Sequence, residues 1–242
     1  MEIKVTEDSI KLFISGSTGK MGQSLSNTLI QKQKENHPFY EILEIVPFDF
    51  IEKKEIWESS IILDFSEASF SLKILKQAVT KKIPMIIGTT GFDEEQHESI
   101  KEASKQIPLV LAPNTSLGIT VLKEMLYAVK NHLNSHKFEI IEKHHKDKKD
   151  LPSGTSKDIA KFIENNLHSE KISIESIRED ESAGEHTVSL LSEDEMLTIS
   201  HKVTNRSVYS GGALLAAVWL DGMREFPGLY KMSDIYVPFE ED

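Results

Sequence analysis

The chain has 242 residues, with 28 lysines and arginines against 39 aspartates and glutamates, for a formal charge of −11. That length suits one large domain or two small ones whose core needs no metal or disulfide. Zero cysteines remove disulfide frameworks, cysteine-ligated zinc, iron–sulfur clusters and thiol nucleophiles. So acidic a chain argues against nonspecific binding to DNA or anionic membranes. Neither the opening MEIKVTEDSIKLFIS nor Ala213–Leu220 is long enough in apolar residues for a signal core or a membrane span, and a cytoplasmic protein is expected.

Apolar runs of strand length alternate with helix-period segments through the first half. Residues 11–15 predict a strand, and Met21, Leu25 and Leu29 mark one face of the helix after it, at i, i+4 and i+8. Residues 40–46, 61–65, 85–87 and 109–111 predict four more short strands, and 69–82 and 93–106 predict helices between them. Strands separated by helices of this length imply right-handed crossovers and a parallel sheet, so the fold class is α/β. After a helix over about 117–134 the rhythm changes. Residues 137–143, 171–177, 186–191 and 196–203 read as strands with one helix among them, near 156–166, which suits a mixed or antiparallel sheet in a separate domain. A last helix over 211–226 is expected to return to the first domain.

Gly16-Ser17-Thr18-Gly19-Lys20-Met21-Gly22 follows a strand and opens a helix. There the glycines permit a tight turn and the close approach of a pyrophosphate, whose charge the helix N-terminus meets. Thr18 stands at the second glycine of the usual G-x-G-x-x-G spacing, and the P-loop spacing is absent. A glycine-rich turn without a ligand is the alternative. Two further polar turns, Gly88-Thr89-Thr90-Gly91-Phe92 and Ala112-Pro113-Asn114-Thr115-Ser116, sit at predicted C-terminal strand ends, where open parallel sheets bind ligands. The three together favour a dinucleotide crevice.

The densest chemistry is Glu142-Lys143-His144-His145-Lys146-Asp147-Lys148-Lys149-Asp150, four lysines and two histidines against three carboxylates. A dianionic small substrate would explain this cationic island; a solvated charge run is the alternative. Pro152-Ser153-Gly154-Thr155 reads as a helix start, with Thr155 and Asp158 in capping-box spacing and free N–H groups able to hold a carboxylate. Metal is set aside. Adjacent residues of an extended chain point to opposite sides, so His144 and His145 cannot readily share an ion, and His132 and His136 read as ordinary exposed histidines on an amphipathic helix.

These motifs, with Asp64-Phe65-Ser66, Asn114 to Gly118, Gly184-Glu185-His186-Thr187 and Gly211-Gly212-Ala213, resemble the dihydrodipicolinate reductase family, in the family's order along most of the chain. The resemblance implies a Rossmann-type parallel-sheet domain from both chain ends, residues 1–114 with 212–242, and a smaller α+β domain with a mixed sheet over 115–211 for substrate binding and oligomerisation. It implies NADH- or NADPH-dependent reduction of a cyclic dicarboxylate in the diaminopimelate route to lysine, by a homotetramer. By position, His144 is the implied general acid and base and Lys148 a second proton donor. His145, Ser153, Gly154 and Thr155 are the implied substrate contacts. Gly16, Ser17, Thr18, Gly19, Lys20 and Met21, with Gly88, Thr89, Thr90, Ala112, Pro113, Asn114 and Thr115, are the implied cofactor contacts.

A histidine titrating near neutrality suits the protonation that follows hydride delivery, with nearby lysines lowering its pKa and bound carboxylates raising it. The chain departs from the family where a Rossmann half usually places a ribose-binding acid. Pro47 stands near that position, Asp49 two residues on, and Glu52, Lys53 and Lys54 beyond. Without a fixed charge there, use of both cofactors is expected, with Asp49 tipping the balance toward NADH. Thr115 also stands where the family often has an aromatic residue. Alternating apolar residues in 186–191 and 196–203 offer a sheet face for tetramer contacts. The competing readings are another two-domain NAD(P)-dependent oxidoreductase and a non-catalytic NAD(P)-sensing regulator.

Overall fold

The computed structural model describes residues 9–46, 57–58, 60–133, 137–146, 148, 150–169, 172–179 and 184–236. Asp49, with Pro47, Glu52, Lys53, Lys54 and His136, lies outside the described residues. The chain divides into two compact units, Met1–Thr115 with Tyr209–Asp242, and Ser116–Val208.

The first unit is built on strands β1 (Ile10–Ser15), β2 (Leu43–Val46), β3 (Ser60–Asp64), β4 (Met85–Ile87) and β5 (Pro108–Leu111), with helices α1 (Lys20–Lys34), α2 (Pro38–Glu41), α3 (Ala68–Lys81) and α4 (Glu94–Ser104) between them. A late strand, β10 (Gly228–Tyr230), completes a six-stranded sheet in the order β10-β5-β4-β3-β1-β2, parallel throughout. The inner strands are largely apolar because both faces are covered. Leu12 and Ile14 pack with Leu25 and Leu29 of α1 and with Ala213, Leu214, Ala217 and Leu220 of a later helix, α7 (Ser207–Asp221). On the opposite face, Phe13, Ile62, Met85 and Leu109 pack with Ile74, Leu75 and Ala78 of α3 and Ile100 and Ala103 of α4. The sense in which successive strands are added reverses between β1 and β3, and the Gly16–Gly22 turn lies at the C-terminal end of β1, at that switch point.

The second unit holds a four-stranded sheet in the order β7-β6-β8-β9, from β6 (Lys137–His145), β7 (Ile172–Glu179), β8 (Glu185–Leu191) and β9 (Met196–Lys202). β6 and β7 are parallel and joined by α6 (Gly154–Leu167); the other pairs are antiparallel, so the sheet is mixed. Helix α5 (Leu117–Ala128) and α6 cover one face, where Ile119, Leu122, Ile159 and Ile163 meet Phe138, Ile140, Val188 and Leu190.

The fold is the expected α/β class, with differences at element ends. The strand expected over 40–46 begins only at Leu43, because Pro38 enters a helical turn that takes Tyr40 and Glu41. Helix α5 stops at Ala128, ahead of a 3-10 turn over Lys130–His132. The helix expected over 211–226 begins at Ser207, whose amide donates to Asn205 Oδ1 at 2.9 Å, and ends at Asp221. Strand β10 and helix α8 (Met232–Tyr236) had no expectation: three and five residues are too few to show a period. The apolar alternation of β8 is also directed differently. Val188 and Leu190 face the helices, while the other face carries cross-strand hydroxyl pairs, Thr187 with Ser200 at 3.0 Å and Ser189 with Thr198 at 3.2 Å.

Candidate active site

The glycine turn of the first unit is shaped by close backbone approach. Gly16 has φ +78°, and a Cβ on it would lie 2.5 Å from the Phe65 carbonyl oxygen. A Cβ on Gly22 would lie 2.4 Å from Gly16 O and 2.5 Å from Ser17 Cα, so α1 can start beneath the turn only with glycine there. Gly19 is the N-cap of α1, and Ser17, Thr18 and Lys20 are exposed around it, with Met21 half-buried against the core. The turn after β4 is tied to the end of β3. Asp64 is fully buried; its Oδ2 accepts from Thr89 Oγ at 2.8 Å and its Oδ1 from Ser66 Oγ at 2.6 Å, while the Ser66 amide donates to Thr89 Oγ at 3.0 Å. This fixes Gly88 and Thr89 and leaves Thr90 exposed. After β5, Ala112 is buried, Pro113 and Asn114 are half-buried, and Thr115 is anchored by its Oγ to Tyr209 O at 2.7 Å. The three turns sit at the C-terminal ends of β1, β4 and β5 in one sheet, with β3 between β1 and β4. Among these expected contacts, Thr89 and Thr115 have side chains committed to the protein, so backbone is what they offer a ligand.

In the second unit, the pleat of β6 sends Phe138, Ile140, Glu142 and His144 to the buried face and His145 to the other. Strand register sets Glu142 opposite His186 of β8 and His144 beside Arg178 of β7. Glu142 is wholly buried. Its Oε1 meets Arg178 Nη1 and Nη2, each at 3.2 Å; its Oε2 accepts from Ser156 Oγ at 2.5 Å; and the Ser153 amide donates to both oxygens at 3.1 and 3.0 Å. Burial alone would raise its pKa, but bonds from Ser153, Ser156 and Ser176 outweigh that and hold it at about 2. Arg178 Nη2 also donates to Asp150 O at 2.7 Å, drawing the loop after β6 onto the sheet.

His144 Nε2 lies 3.3 Å from His186 Nε2 and 3.8 Å from Glu142 Oε2. Burial pushes His144 down to about 4; Glu142 opposes that shift, and Lys148 and Arg178 add to it. Burial likewise takes His186 down to about 3, with His144 adding to it. Lys148 Nζ lies 2.8 and 2.9 Å from the Asp150 oxygens, and Asp150 Oδ2 also accepts the Gly154 amide at 3.3 Å.

Two expectations at the start of α6 need correction. The N-cap is Ser153, whose Oγ accepts the Ser156 amide at 3.2 Å, so Thr155 and Asp158 form no capping box; Asp158 instead pairs with Lys123 of α5. The amides at this helix start are also already engaged: that of Ser153 by Glu142, that of Gly154 by Asp150 and that of Ser156 by Ser153. The carboxylates they hold belong to the protein. The island is partly neutralised as well, through Lys148 with Asp150 and Lys143 with Glu179 at 3.8 Å; Asp147 and Lys149 lie outside the described residues.

The structure thus brings His144, Lys148, Ser153, Gly154 and Thr155 to one end of β6 and α6, and turns His145 away. It adds Glu142, Arg178 and His186, to which the sequence reading gave no role. Glu142, His144 and His186 offer ligand atoms within 4.8 Å of one another. As a donor set for a cation they fit poorly, since both Glu142 oxygens are taken up by hydroxyl, amide and guanidinium donors.

A doubly wound sheet with its glycine turn at the switch point, continuous with a mixed-sheet unit that keeps a buried histidine neutral beside a fixed ion pair, belongs to the class of two-unit nicotinamide-dependent oxidoreductases. Sequence comparison narrows the class. The family described as dihydrodipicolinate reductase matches twice, its N-terminal part over residues 10–115 and its C-terminal part over 118–236. The 4-hydroxy-tetrahydrodipicolinate reductase of Caldanaerobacter subterraneus subsp. tengcongensis is 36% identical over 93% of this chain and 98% of its own, and that of Buchnera aphidicola subsp. Cinara cedri is 34% identical over 93% and 96%. A dipicolinate-bound dihydrodipicolinate reductase from Paenisporosarcina sp. TG-14 shares the fold with a TM-score of 0.68 at 20% identity, over 92% of this chain and 97% of that one. The chain belongs to the dihydrodipicolinate reductase family.

Proposed function

We propose that the protein reduces 4-hydroxy-tetrahydrodipicolinate to tetrahydrodipicolinate with NADH or NADPH, in the diaminopimelate route to lysine, as a cytoplasmic homotetramer. The observation that carries this reading is His144, held neutral between the Glu142–Arg178 pair and His186 within the family's C-terminal match. The glycine turn and the turns after β4 and β5 bind the dinucleotide; when bound, its reduced nicotinamide supplies the hydride. The protein's own part is to hold the dicarboxylate and move a proton. Lys148, Ser153, Gly154 and Thr155 are the proposed substrate contacts, a substrate carboxylate displacing Asp150 from the Gly154 amide, and His144 gives the proton that hydride delivery calls for. A pKa near 4 leaves His144 uncharged at neutral pH, and the charges of an arriving dianion raise it, so the acid is armed by the substrate it serves. His145, on the other face of the strand, is a further proposed substrate contact, carried by the family resemblance.

A coupled assay in which the preceding synthase supplies the unstable substrate tests this, read as loss of the reduced-nicotinamide absorbance. Turnover with both cofactors is expected, with kcat/KM values within about tenfold of each other. A ratio beyond about a hundredfold would defeat dual use, and a folded sample that binds NADH or NADPH yet oxidises neither would leave the regulator reading. His144→Gln should lower kcat by about 10²–10⁴-fold with little change in cofactor affinity; full activity would remove it from the chemistry.

A further inference from the structure

The hydrogen bonds around His144 have a polarity that starts at Glu142. A carboxylate only accepts, so Ser156 commits its hydroxyl proton to Glu142 Oε2 at 2.5 Å. Ser156 Oγ then accepts from Ser153 Oγ at 3.3 Å, and Ser153 Oγ in turn accepts the Ser156 amide at 3.2 Å. With its one proton directed along that chain, Ser153 Oγ meets His186 Nε2, 3.4 Å away, as an acceptor, and His186 Nε2 carries the hydrogen. The other ring nitrogen agrees. His186 Nδ1 is buried without a hydrogen-bond partner, and a buried N–H left orphaned is rarer than an unsatisfied acceptor. The same His186 Nε2–H faces His144 Nε2 at 3.3 Å, so His144 Nε2 accepts.

We infer that His186 is a positioning residue that sets the tautomer of His144, holding Nε2 as an acceptor so that the neutral ring's proton sits on Nδ1. This rests on the reading of His144 as the proton donor. The assignment follows from the network of partners and is a statement about hydrogens. His186 is itself held. Its ring stacks on His201 of β9 at 6.4 Å and 23°, and His201 Nε2 lies 3.1 Å from Ser116 Oγ. Gly118 of α5 leaves room for that ring, since a Cβ there would come within 2.4 Å of His201. An N–H on His186 also opposes the imidazolium, which needs hydrogen on the nitrogen it faces. The other charged groups acting on His144 are Glu142 on its own strand, Arg178 on β7, and Lys148 and Asp150 in the loop after β6.

Long-range nitrogen–proton correlation on the full chain with nitrogen-15 histidine, His144 being assigned by its loss in His144→Gln, reads the tautomer without any turnover. The Nδ1–H form is expected near neutral pH. In His186→Phe, which fills the space without a donor, His144 should shift toward the Nε2–H form and its titration midpoint should rise by about one unit. The kcat-against-pH profile should move the same way, whereas His186→Gln, which keeps an N–H, should hold the wild-type profile more closely. An Nε2–H form of His144 in the wild-type protein would overturn the inference whether or not His186→Phe folds, as would an unchanged midpoint in folded His186→Phe. Full activity of His144→Gln would sink the catalytic reading and leave the tautomer measurement standing, so the two failures are distinguishable.

Discussion

Burial acts in opposite directions on Glu142 and His144, two residues apart on one strand, yet both end with a lowered pKa: the hydroxyl and amide donors overcome burial at Glu142, whereas burial itself is the cause at His144. For both, and for His186, the folded value lies below the ordinary one, so as pH falls the unfolded chain takes up protons first. Their contribution to stability is therefore complete above the ordinary value and lost on acidification. For the histidines the loss begins near 6.5 and runs down through about 4 and 3; for Glu142 it begins near 4.5 and runs through about 2. The urea midpoint should accordingly fall between about pH 7 and 4, before most carboxylates titrate. A midpoint flat over that interval would mean the histidines are not buried neutral. The contiguous run from His144 to Thr155 was legible because its members are neighbours in sequence. Arg178 and His186 were not assigned because what joins them to Glu142 is strand register across 36 and 44 positions, and no local spacing encodes that.

The adjacent glycines of α7 offer a test at the scale of an element. A Cβ on Gly212 would fall 1.8 Å from Thr115 O and 2.6 Å from the Tyr236 hydroxyl, which itself donates to Thr115 O at 3.0 Å; around Gly211 nothing lies within 4 Å. Gly212→Ala must shift the helix against backbone and should cost at least about 1–3 kcal/mol. Gly211→Ala removes a helix-interior glycine and should be neutral or stabilising by up to about 1 kcal/mol. Thermal melts of the two variants check this, and equal effects would refute the packing account. The same locality explains which elements the sequence predicted. Strands β1, β3, β4 and β5 were found because their apolar runs are buried on both faces. The last two residues of α2, Tyr40 and Glu41, read as strand because they run on into the apolar residues of β2, whereas Pro38 directs the backbone into a turn.

The second unit's sheet exposes Met196 at 64% on the face that carries the paired hydroxyls of Thr187, Ser200, Ser189 and Thr198. A second such sheet laid face to face would bury that row in a two-fold pair, and the proposed tetramer joins two such pairs through a second interface. Light scattering should give about four times the 27.4 kDa chain mass; a monomer at micromolar concentration would reject the assembly.

The order in which the chain is made bears on how the first unit can form. Ala213, Leu214, Ala217 and Leu220 of α7 cover one side of its sheet, and β10 supplies an edge, yet both follow the whole of Ser116–Val208. During synthesis, strands β1 to β5 emerge with one apolar face covered only in part, by α1, until the second unit has been translated. That second unit is contiguous and has its own core, so it can close first. A chain that has left the ribosome as far as Val208, with the remainder still in the exit tunnel, would carry a finished insert and an open sheet, the state in which a chaperone would find the most to hold.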